Sequence, residues 1–280
     1  MSQIEVKKIV QALSTSDGAG VKLKRSIGTS EASYIDPFLM LDEFGSENKD
    51  DYVAGFPPHP HRGIETVTYM LEGEFEHKDS TGSKGKMTPG DIQWMKTGRG
   101  IIHSEMPSMP NGKLLGFQLW INMPAKLKMN KPEYQYIKAN QVGLYKDNEK
   151  IVKVISGKFK NTEGPIKSHN VDPIYQHIIL KVGKEFKLNI PIEHNSFIYL
   201  LNGELKVGNG NHELTNNSNL ILLNKGTTLI AKAIKKSEFL FIAGKPIGES
   251  IARGGPFVMN TKEEILQAVK DYENGTFAKY

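Results

Sequence analysis

Apolar and polar residues alternate along most of the chain in short runs, which is the pattern of half-buried β-strands. Clusters rich in glycine, asparagine, proline and serine separate these runs and predict tight turns. Many short strands at regular spacing are typical of an all-β fold, either a sandwich or a barrel. The pattern predicts strands in seven segments: 66–71, 91–95, 114–121, 177–182, 196–201, 220–223 and 239–244.

The stretch NTKEEILQAVKDYENG near the end of the chain is typical of an α-helix. Thr261 and Glu264 match a capping box, in which each side chain accepts a hydrogen bond from a free backbone N–H group. We therefore expect a helix at about 261–273 that stops at Asn274-Gly275. One helical face is predicted to be apolar: Ile265, Leu266, Val269 and Tyr272.

Two copies of one sequence pattern divide the chain. YMLEGEF at 69–75 matches YLLNGEL at 199–205, at an offset of 130 residues. Each copy predicts a strand, a turn through glycine and a second strand, so the repeat predicts two similar β-domains. We place these domains at 1–135 and 136–280, with the helix at the end of the second domain.

Two histidines, His59 and His61, stand two residues apart in the stretch FPPHPHRGIET. Side chains at positions i and i+2 of a strand point to the same face, so an extended backbone presents both imidazoles together. Pro58 and Pro60 favour this extended backbone and disfavour a helix. The pair is therefore a candidate half of a metal site.

A second pair with the same spacing follows, because His103 and Glu105 lie in the stretch GRGIIHSEMP. If the two pairs lie on two strands that face one interior, they supply three nitrogen ligands and one oxygen ligand. The competing interpretation places His59 and His61 on a polar loop and His103 in the core with its hydrogen bonds satisfied.

The second copy of the repeat lacks these four side chains. Their joint loss, while the surrounding pattern remains, favours a set of residues that acts as a unit. We therefore expect a metal site in the first domain and a second domain without metal ligands. Alignment of the two copies puts four other residues at the ligand positions: Asn189, Pro191, Ala231 and Ala233.

The composition excludes some classes of protein and of site but does not identify the function. Of 280 residues, 38% are hydrophobic and 24% charged, which is typical of globular proteins. The absence of cysteine excludes disulfides and thiolate ligands. The net charge of +5 comes from lysines spread along the chain, so we expect no direct binding of nucleic acid. Without a signal-peptide pattern or an apolar run of about 18 residues, we expect a cytoplasmic protein with no membrane segment.

The stretch HPHRGIETVTYMLEGEFEHKDSTGSKGKMTPGDIQWMKTGRGIIHSEMP resembles the metal-binding domain of the pirins, a family of bicupins. The resemblance continues in KLKRSIGTSEASYIDPFLMLDEFG, in LLGFQLWINMPAKLKMNKPEYQ and in GGPFVMNTKEEILQAVKDYENGTF. It covers nearly the whole chain and thins between about 140 and 240. It implies two antiparallel β-barrel (jelly-roll) domains followed by a short C-terminal helix.

The resemblance also implies that His59, His61, His103 and Glu105 are the ligands of an iron ion. Many other cupins place a ligand glutamate soon after the histidine pair, and Glu65 occupies that slot. Pirins place the carboxylate after the third histidine, so Glu65 is expected to be structural or to hydrogen-bond to a ligand. Ligand type alone allows Fe(II), Mn(II), Ni(II), Co(II) or Cu(II), and four protein ligands leave positions open on such a metal.

Bacterial pirins can act as quercetin 2,3-dioxygenases, and the resemblance implies a flavonol and dioxygen as partners here. Glu105 is then the natural base for the proton of the 3-hydroxyl group. Two alternatives stay open. In one, the protein is a redox-sensing pirin, and the oxidation state of its iron regulates a protein partner. In the other, it is a cupin that binds a small molecule without chemistry.

Several residues near the candidate ligands have expected positions. Gln118 is a candidate hydrogen-bond donor to a ligand, and Trp94 and Trp120 are expected in the core. Three residues are candidates to line an apolar entrance: Phe56, Pro57 and Met106.

Overall fold

The structure is a computed structural model that describes residues 2–109, 112–166, 170–209, 213–215 and 219–279. Antiparallel strands dominate the described chain, which confirms the all-β prediction. The chain divides into two compact units. The histidine-bearing unit comprises Ser14–Gly28, Phe38–Ala139 and Ile247–Tyr280, and the second unit comprises Met1–Leu13, Thr29–Pro37 and Asn140–Pro246.

This division differs from the predicted domains 1–135 and 136–280. The first 13 residues belong to the second unit, and the segment 247–280, here called the C-terminal arm, belongs to the histidine-bearing unit. The physical reason is long-range pairing. The strand Val6–Gln11 pairs with the strand Asn219–Leu223, and Phe257 of the arm forms a β-bridge with Arg62. A repeat locates the two sheets along the chain, but it carries no information on where the ends pack.

The first twelve strands precede residue 138. They are β1 (Val6–Gln11), β2 (Leu13–Asp17), β3 (Val21–Ile27), β4 (Phe38–Ser46), β5 (Phe56–His61), β6 (Ile64–Glu72), β7 (Phe75–Asp79), β8 (Lys84–Met87), β9 (Ile92–Lys96), β10 (Ile101–Pro107), β11 (Leu114–Asn122) and β12 (Glu133–Ile137).

Twelve further strands follow. They are β13 (Gly143–Lys146), β14 (Lys150–Ser156), β15 (Lys158–Phe159), β16 (Thr162–Glu163), β17 (Ile174–Leu180), β18 (Glu185–Asn189), β19 (Asn195–Val207), β20 (Glu213–Thr215), β21 (Asn219–Leu223), β22 (Thr228–Gly244), β23 (Ala252–Gly254) and β24 (Phe257–Met259). Each of the seven predicted strands overlaps one of the observed strands.

The helical segments are short. Helix α1 spans Lys262–Glu273, and three 3-10 helices span Lys49–Asp51, Ala125–Leu127 and Ala139–Gln141. None of the helices in the described residues combines the length and the apolar character that a membrane span needs.

Two large sheets build the described part of the histidine-bearing unit, and β23 and β24 of the C-terminal arm form a small third one. Of the two large sheets, one has seven strands in the order β12-β9-β6-β11-β4-β3-β2, and the other has four in the order β5-β10-β7-β8. Side chains of the two sheets meet in the interior, since Gln93 on β9 bonds to His77 on β7 and Gln118 on β11 bonds to Glu105 on β10. At one end an apolar cluster closes the interior, with Phe44 stacked on Phe75 at 5.3 Å.

The second unit is built on a nine-stranded sheet whose main path runs β1-β21-β19-β22-β17-β14-β13. Its interior is apolar and includes Phe186 stacked on Phe159 at 5.2 Å. The two copies of the repeat correspond to β6–β7 and to β19. Gly73 and Gly203 both have left-handed backbones, with φ of 84° and 92°, so both turns need glycine at the position that the repeat aligns.

Helix α1 begins as predicted but buries a different face. Thr261 accepts a hydrogen bond from the backbone N–H of Glu264, and both halves of the capping box are present. The buried contact is made by Ala268, which packs with Phe257 and Phe277. The small side chain of Ala268 lets the helix approach these rings closely. Ile265 is half-buried, and the other residues of the predicted face are exposed: Leu266 (61%), Val269 (37%) and Tyr272 (43%).

Candidate metal centre

Strand β5 carries His59 and His61, and its sequence FPPHPH explains why they share a face. The prolines hold the backbone extended, so side chains two residues apart point the same way. β5 pairs with β10 in an antiparallel register that puts His59 opposite His103 and His61 opposite Ile101. The prediction that two neighbouring strands bring the three histidines to one interior is confirmed.

The three imidazoles form one compact group. Their ring centroids lie 4.4 Å (His59–His103), 4.8 Å (His59–His61) and 5.0 Å (His61–His103) apart. One ring nitrogen of each lies within 4.8 Å of the others. His61 and His103 are buried, and His59 is half-buried. Within the described ranges, this is the group of metal-ligating side chains that comes together in this way.

Hydrogen bonds leave a lone pair free on each ring. Nδ1 of His59 donates to the carbonyl oxygen of Pro57 at 2.8 Å, and Nδ1 of His61 donates to that of Pro256 at 3.3 Å. The lone pair of both rings therefore lies on Nε2. Nε2 of His103 is buried and has no hydrogen-bond partner among the described residues.

Burial keeps two of the rings neutral. Burial, reinforced by the neighbouring His59, lowers the pKa of His61 to about 3. Burial also holds the pKa of His103 well below its ordinary value, and the surrounding histidines add to the shift. A neutral imidazole binds a transition metal, whereas a protonated one cannot. Three converging imidazoles, one of which has a buried Nε2 without a hydrogen-bond partner among the described residues, fit a divalent transition metal ion.

Glu105 lies beside this group and is engaged elsewhere. It is buried on β10, and its carboxylate accepts hydrogen bonds from Thr68 Oγ1 at 2.8 Å and from Gln118 Nε2 at 2.9 Å. Gln118 is thus a donor to a candidate ligand, as expected. The geometry brings together three of the four predicted ligands, and the role of Glu105 as the fourth ligand stays a prediction.

Glu65 has the structural role that the sequence indicates. Its buried carboxylate accepts a hydrogen bond from Nε1 of Trp94 at 2.6 Å, and Trp94 is a core residue. Trp120 is also a core residue, as expected, and in addition its ring contacts His61 at 5.0 Å between centroids and lines a cavity. Its indole is therefore part of the site as well as of the core.

Two further residues on β7, His77 and Asp79, lie next to His103 and are not among the predicted site residues. Nε2 of His77 donates to Asp79 at 2.8 Å, and Nδ1 of His77 accepts from Gln93 at 2.7 Å. Burial opposes ionisation of Asp79, but its hydrogen bonds from His77 and Thr81 hold its pKa below the usual value. The same i, i+2 spacing that revealed His59 and His61 is present here and could have revealed this pair.

A cavity of about 410 Å³ opens beside the histidines, within the volume range of ordinary small-molecule sites. Phe56 lines it, as expected, whereas Pro57 and Met106 are not part of its wall. The lining is largely apolar and aromatic on one side: Leu23, Met40, Phe44, Phe56 and Trp120. The polar side includes the candidate site residues His59, His61, Glu105 and Gln118.

Charged side chains line another part of the cavity. Arg25 donates to both carboxylate oxygens of Asp42, at 2.9 Å and 2.7 Å, and also contacts Asp17 at 2.8 Å. Burial raises the pKa of Asp42, and the bonds from Arg25 oppose that shift. Arg253 of the C-terminal arm lies over the ring of Trp120, with 5.2 Å between Cζ and the ring centroid. This wall therefore combines a neutralised ion pair with a cation on an aromatic face.

The second unit fills the corresponding place with apolar side chains. Its strands β18 and β22 pair with Phe186 opposite Ala231 and Leu188 opposite Leu229. If Ala231 is taken as equivalent to His103, this register makes Phe186 and Leu188 the equivalents of the histidine pair. Phe186 and Leu188 therefore take the place of Asn189 and Pro191 in the alignment of the two copies. The predicted alignment was wrong there because the offset between the copies is not the same for every strand. Phe186 and Ala231 are fully buried.

Comparison with known families identifies both domains. A model of the Pirin family matches residues 20–121, and a model of the Pirin C-terminal cupin domain matches residues 175–278. A pirin-like protein from Caulobacter vibrioides is 45% identical over 274 residues, which cover 97% of this chain and 98% of the relative. Human pirin is 39% identical over 263 residues, covering 92% and 89%. These matches confirm the prediction of two cupin domains.

Solved structures show the same fold. A structure of quercetin 2,3-dioxygenase from Acinetobacter baumannii is 30% identical, with a TM-score of 0.89 and 99% of each chain covered. The bacterial pirin YhhW from Escherichia coli, in complex with nickel(II), has a TM-score of 0.68 and 22% identity, with 87% of this chain and 99% of the other covered. The second likeness concerns the fold alone.

Proposed function

Because the chain belongs to the pirin family, we propose that it is a metal-dependent dioxygenase that cleaves flavonols such as quercetin. The observation that carries this proposal is the group of three converging histidines on the wall of an apolar cavity. The likeness to a quercetin 2,3-dioxygenase with 30% identity supports the substrate class. A buried, thiolate-free ligand set beside an aromatic cavity suits a flat aromatic substrate.

The proposed metal ligands are His59, His61 and His103, with Glu105 as the fourth. Imidazole and carboxylate ligands without thiolate suit Fe(II), and they also accept Mn(II), Ni(II), Co(II) or Cu(II). When bound, the metal supplies Lewis-acid stabilisation of the flavonolate and orients it towards dioxygen. In the overall reaction both oxygen atoms of dioxygen enter the products, ring C3 leaves as carbon monoxide, and a depside remains.

The side chains of the site have defined tasks in this proposal. Glu105 accepts the proton of the 3-hydroxyl group, and the hydrogen bonds from Thr68 and Gln118 hold its carboxylate towards the cavity. Phe56 and Trp120 provide flat apolar surfaces against which aromatic rings pack and from which water is excluded.

The test is turnover of quercetin under air. Metal-free protein and protein reconstituted with each of the five metals would be compared by loss of the visible quercetin band and by release of carbon monoxide. We expect turnover with carbon monoxide from at least one metallated form and none from metal-free protein. If no fully metallated form consumed quercetin or released carbon monoxide, the dioxygenase would be rejected. The result would favour a redox-sensing pirin that regulates a protein partner, or a cupin that binds a small molecule without chemistry.

A pair of variants separates the metal site from general folding. His103→Ala should abolish stoichiometric metal binding and turnover while the protein stays folded, because the second cupin domain lacks these ligands and still folds around an apolar core. His177→Phe is the matched control, since it removes a buried histidine of the second unit. One metal per chain in the folded His103→Ala variant would contradict the assignment of the site.

A further inference from the structure

A chain of hydrogen bonds connects a carboxylate to His103 through a second histidine. Asp79 contacts Nε2 of His77 at 2.8 Å, and Nδ1 of His77 contacts Nδ1 of His103 at 3.4 Å. We propose that Asp79 and His77 are positioning residues that fix the tautomer of His103 and thereby strengthen its bond to the metal. The proposal rests on the metal site and is independent of the substrate.

The carboxylate of Asp79 determines which group donates and which accepts in this series of hydrogen bonds. Oδ1 of Asp79 accepts from the backbone N–H of Thr81 at 2.8 Å, from its hydroxyl at 2.6 Å and from the N–H of Ser83 at 3.2 Å. These bonds hold the carboxylate in one orientation, with Oδ2 towards His77. An ionised carboxylate only accepts, so His77 must carry its proton on Nε2.

The tautomer of His77 determines that of His103. With its proton on Nε2, His77 has a lone pair on Nδ1, where it accepts from Nε2 of Gln93 at 2.7 Å. The same lone pair also faces Nδ1 of His103 at 3.4 Å. Two lone pairs would repel each other there, so Nδ1 of His103 carries a proton and His77 accepts from both donors. The lone pair of His103 is consequently on Nε2, the buried atom that has no partner among the described residues.

Strand register and burial make this arrangement rigid. β7 pairs with β10 so that Asp79 lies opposite His103 and His77 lies opposite Glu105. The side chains of His77 and Asp79 are completely buried. The ring of His77 also stacks on Tyr134, at 4.6 Å and 13° between planes. Without competing water, each bond in such a chain polarises the next.

The chemical consequence is a better metal ligand. A histidine that donates its other N–H to an acceptor is held in the correct orientation and becomes more basic at the coordinating nitrogen. Loss of such a partner typically weakens metal affinity by about 10–100-fold. A residue that merely fills the core would change stability without this selective effect on the metal.

The experiment is a competition titration of the full-length, metal-free protein with Ni(II) against a chromophoric chelator. His77→Phe keeps a ring for stacking on Tyr134 but removes the acceptor. Asp79→Asn keeps the shape, but its amide would face His77 and donate to Nε2, which moves the proton of His77 to Nδ1, opposite His103. Both variants should bind Ni(II) about 10–100-fold more weakly than the wild type.

The matched control is His177→Phe. His177 is also buried and contacts a carboxylate, Glu238, at 2.9 Å, but it lies in the second unit. We expect its affinity for Ni(II) to equal that of the wild type. Circular dichroism and thermal unfolding would establish that each variant is folded, and Asp79→Asn decides the matter if His77→Phe does not fold.

A spectroscopic measurement tests the tautomer without any substitution. Nitrogen-15 NMR of the metal-free wild type should show the proton of His103 on Nδ1 and that of His77 on Nε2. A proton on Nε2 of His103 would overturn the proposal. Wild-type affinity for Ni(II) in the folded Asp79→Asn variant would overturn it equally.

Discussion

At the scale of single residues, neighbours decide what each histidine can do. His103 and His177 are both buried. Nε2 of His177 contacts Glu238 at 2.9 Å, whereas Nε2 of His103 has no partner among the described residues and joins two other imidazoles. The two histidines therefore have different chemistry, one as a satisfied core residue and the other as a candidate ligand.

His177 predicts a dependence of stability on pH. Burial lowers its pKa, although Glu238 opposes the shift. Because its folded pKa lies below the unfolded value of about 6.5, the unfolded chain takes up the proton first as the pH falls. The stabilisation is therefore complete above about pH 6.5 and is lost below it, by at most about 1.4 kcal/mol per pH unit.

This dependence is measured by thermal unfolding at pH 7.5 and pH 5.5. The melting temperature of the wild type should fall more between these values than that of His177→Phe, which has no proton to bind at this position. Apart from Glu238, whose pKa is lowered by its hydrogen bond with His177, the other titrating groups are common to both proteins and cancel in the comparison. An equal or larger fall in His177→Phe would contradict the prediction.

At the scale of elements, each of three neighbouring strands carries a pair of polar side chains two residues apart. β5 presents His59 and His61, β10 presents His103 and Glu105, and β7 presents a third pair, His77 and Asp79. Each pair uses the i, i+2 spacing of a strand, so its two side chains reach the same interior. The first two pairs could be predicted because proline or the family motif marks them. The third pair has the same spacing and could have been noticed, but its contact with His103 could not be predicted, since that contact depends on the strand that lies beside it.

Helix α1 gives a prediction that compares the apolar face predicted from the sequence with the residue that is buried in the structure. Leu266 is 61% exposed, so Leu266→Ala should change the free energy of unfolding by less than about 0.5 kcal/mol. Ala268 is fully buried, so Ala268→Leu should overpack the contact with Phe257 and destabilise by about 1–3 kcal/mol. Denaturant unfolding measures both changes. A larger loss from Leu266→Ala than from Ala268→Leu would show that the sequence-predicted face is the buried one.

At the scale of the whole molecule, the C-terminal arm completes the histidine-bearing unit. The carbonyl oxygen of Pro256 contacts Nδ1 of His61, and Asp271 pairs with the buried Arg62 at 2.7 Å. The buried Nζ of Lys128 donates to the carbonyl oxygens of Gly63 and Val258 at 2.7 Å and 2.8 Å. The arm thus holds His61 and the two residues that follow it from a position almost two hundred residues away in sequence.

Removal of the arm should therefore impair the metal site. A chain truncated after Pro246 loses the acceptor of His61 and leaves Arg62 and Lys128 without their partners in the arm. We expect affinity for Ni(II) to fall by at least about 10-fold, since losing the hydrogen-bond partner of one ligand has that effect by itself. The measurement is the same chelator competition, with NMR to show that the second unit remains folded.

The control for this truncation is deletion of residues 2–11, which contain β1. These residues belong to the second unit, so their removal should leave the affinity for Ni(II) unchanged. Wild-type affinity in the chain that lacks the arm would show that the arm does not orient His61.

The sequence by itself determined seven of the strands, the repeat, the capping box, the family and the three histidines of the site. All of these depend on residues close together along the chain or on motifs that keep their spacing. Only the tertiary structure decided the exchange of the terminal segments, the buried face of α1, the hydrogen bonds of Glu105 and the connection from Asp79 to His103. Each of these depends on which distant strands become neighbours, and such pairing is a property of the whole core rather than of any local pattern.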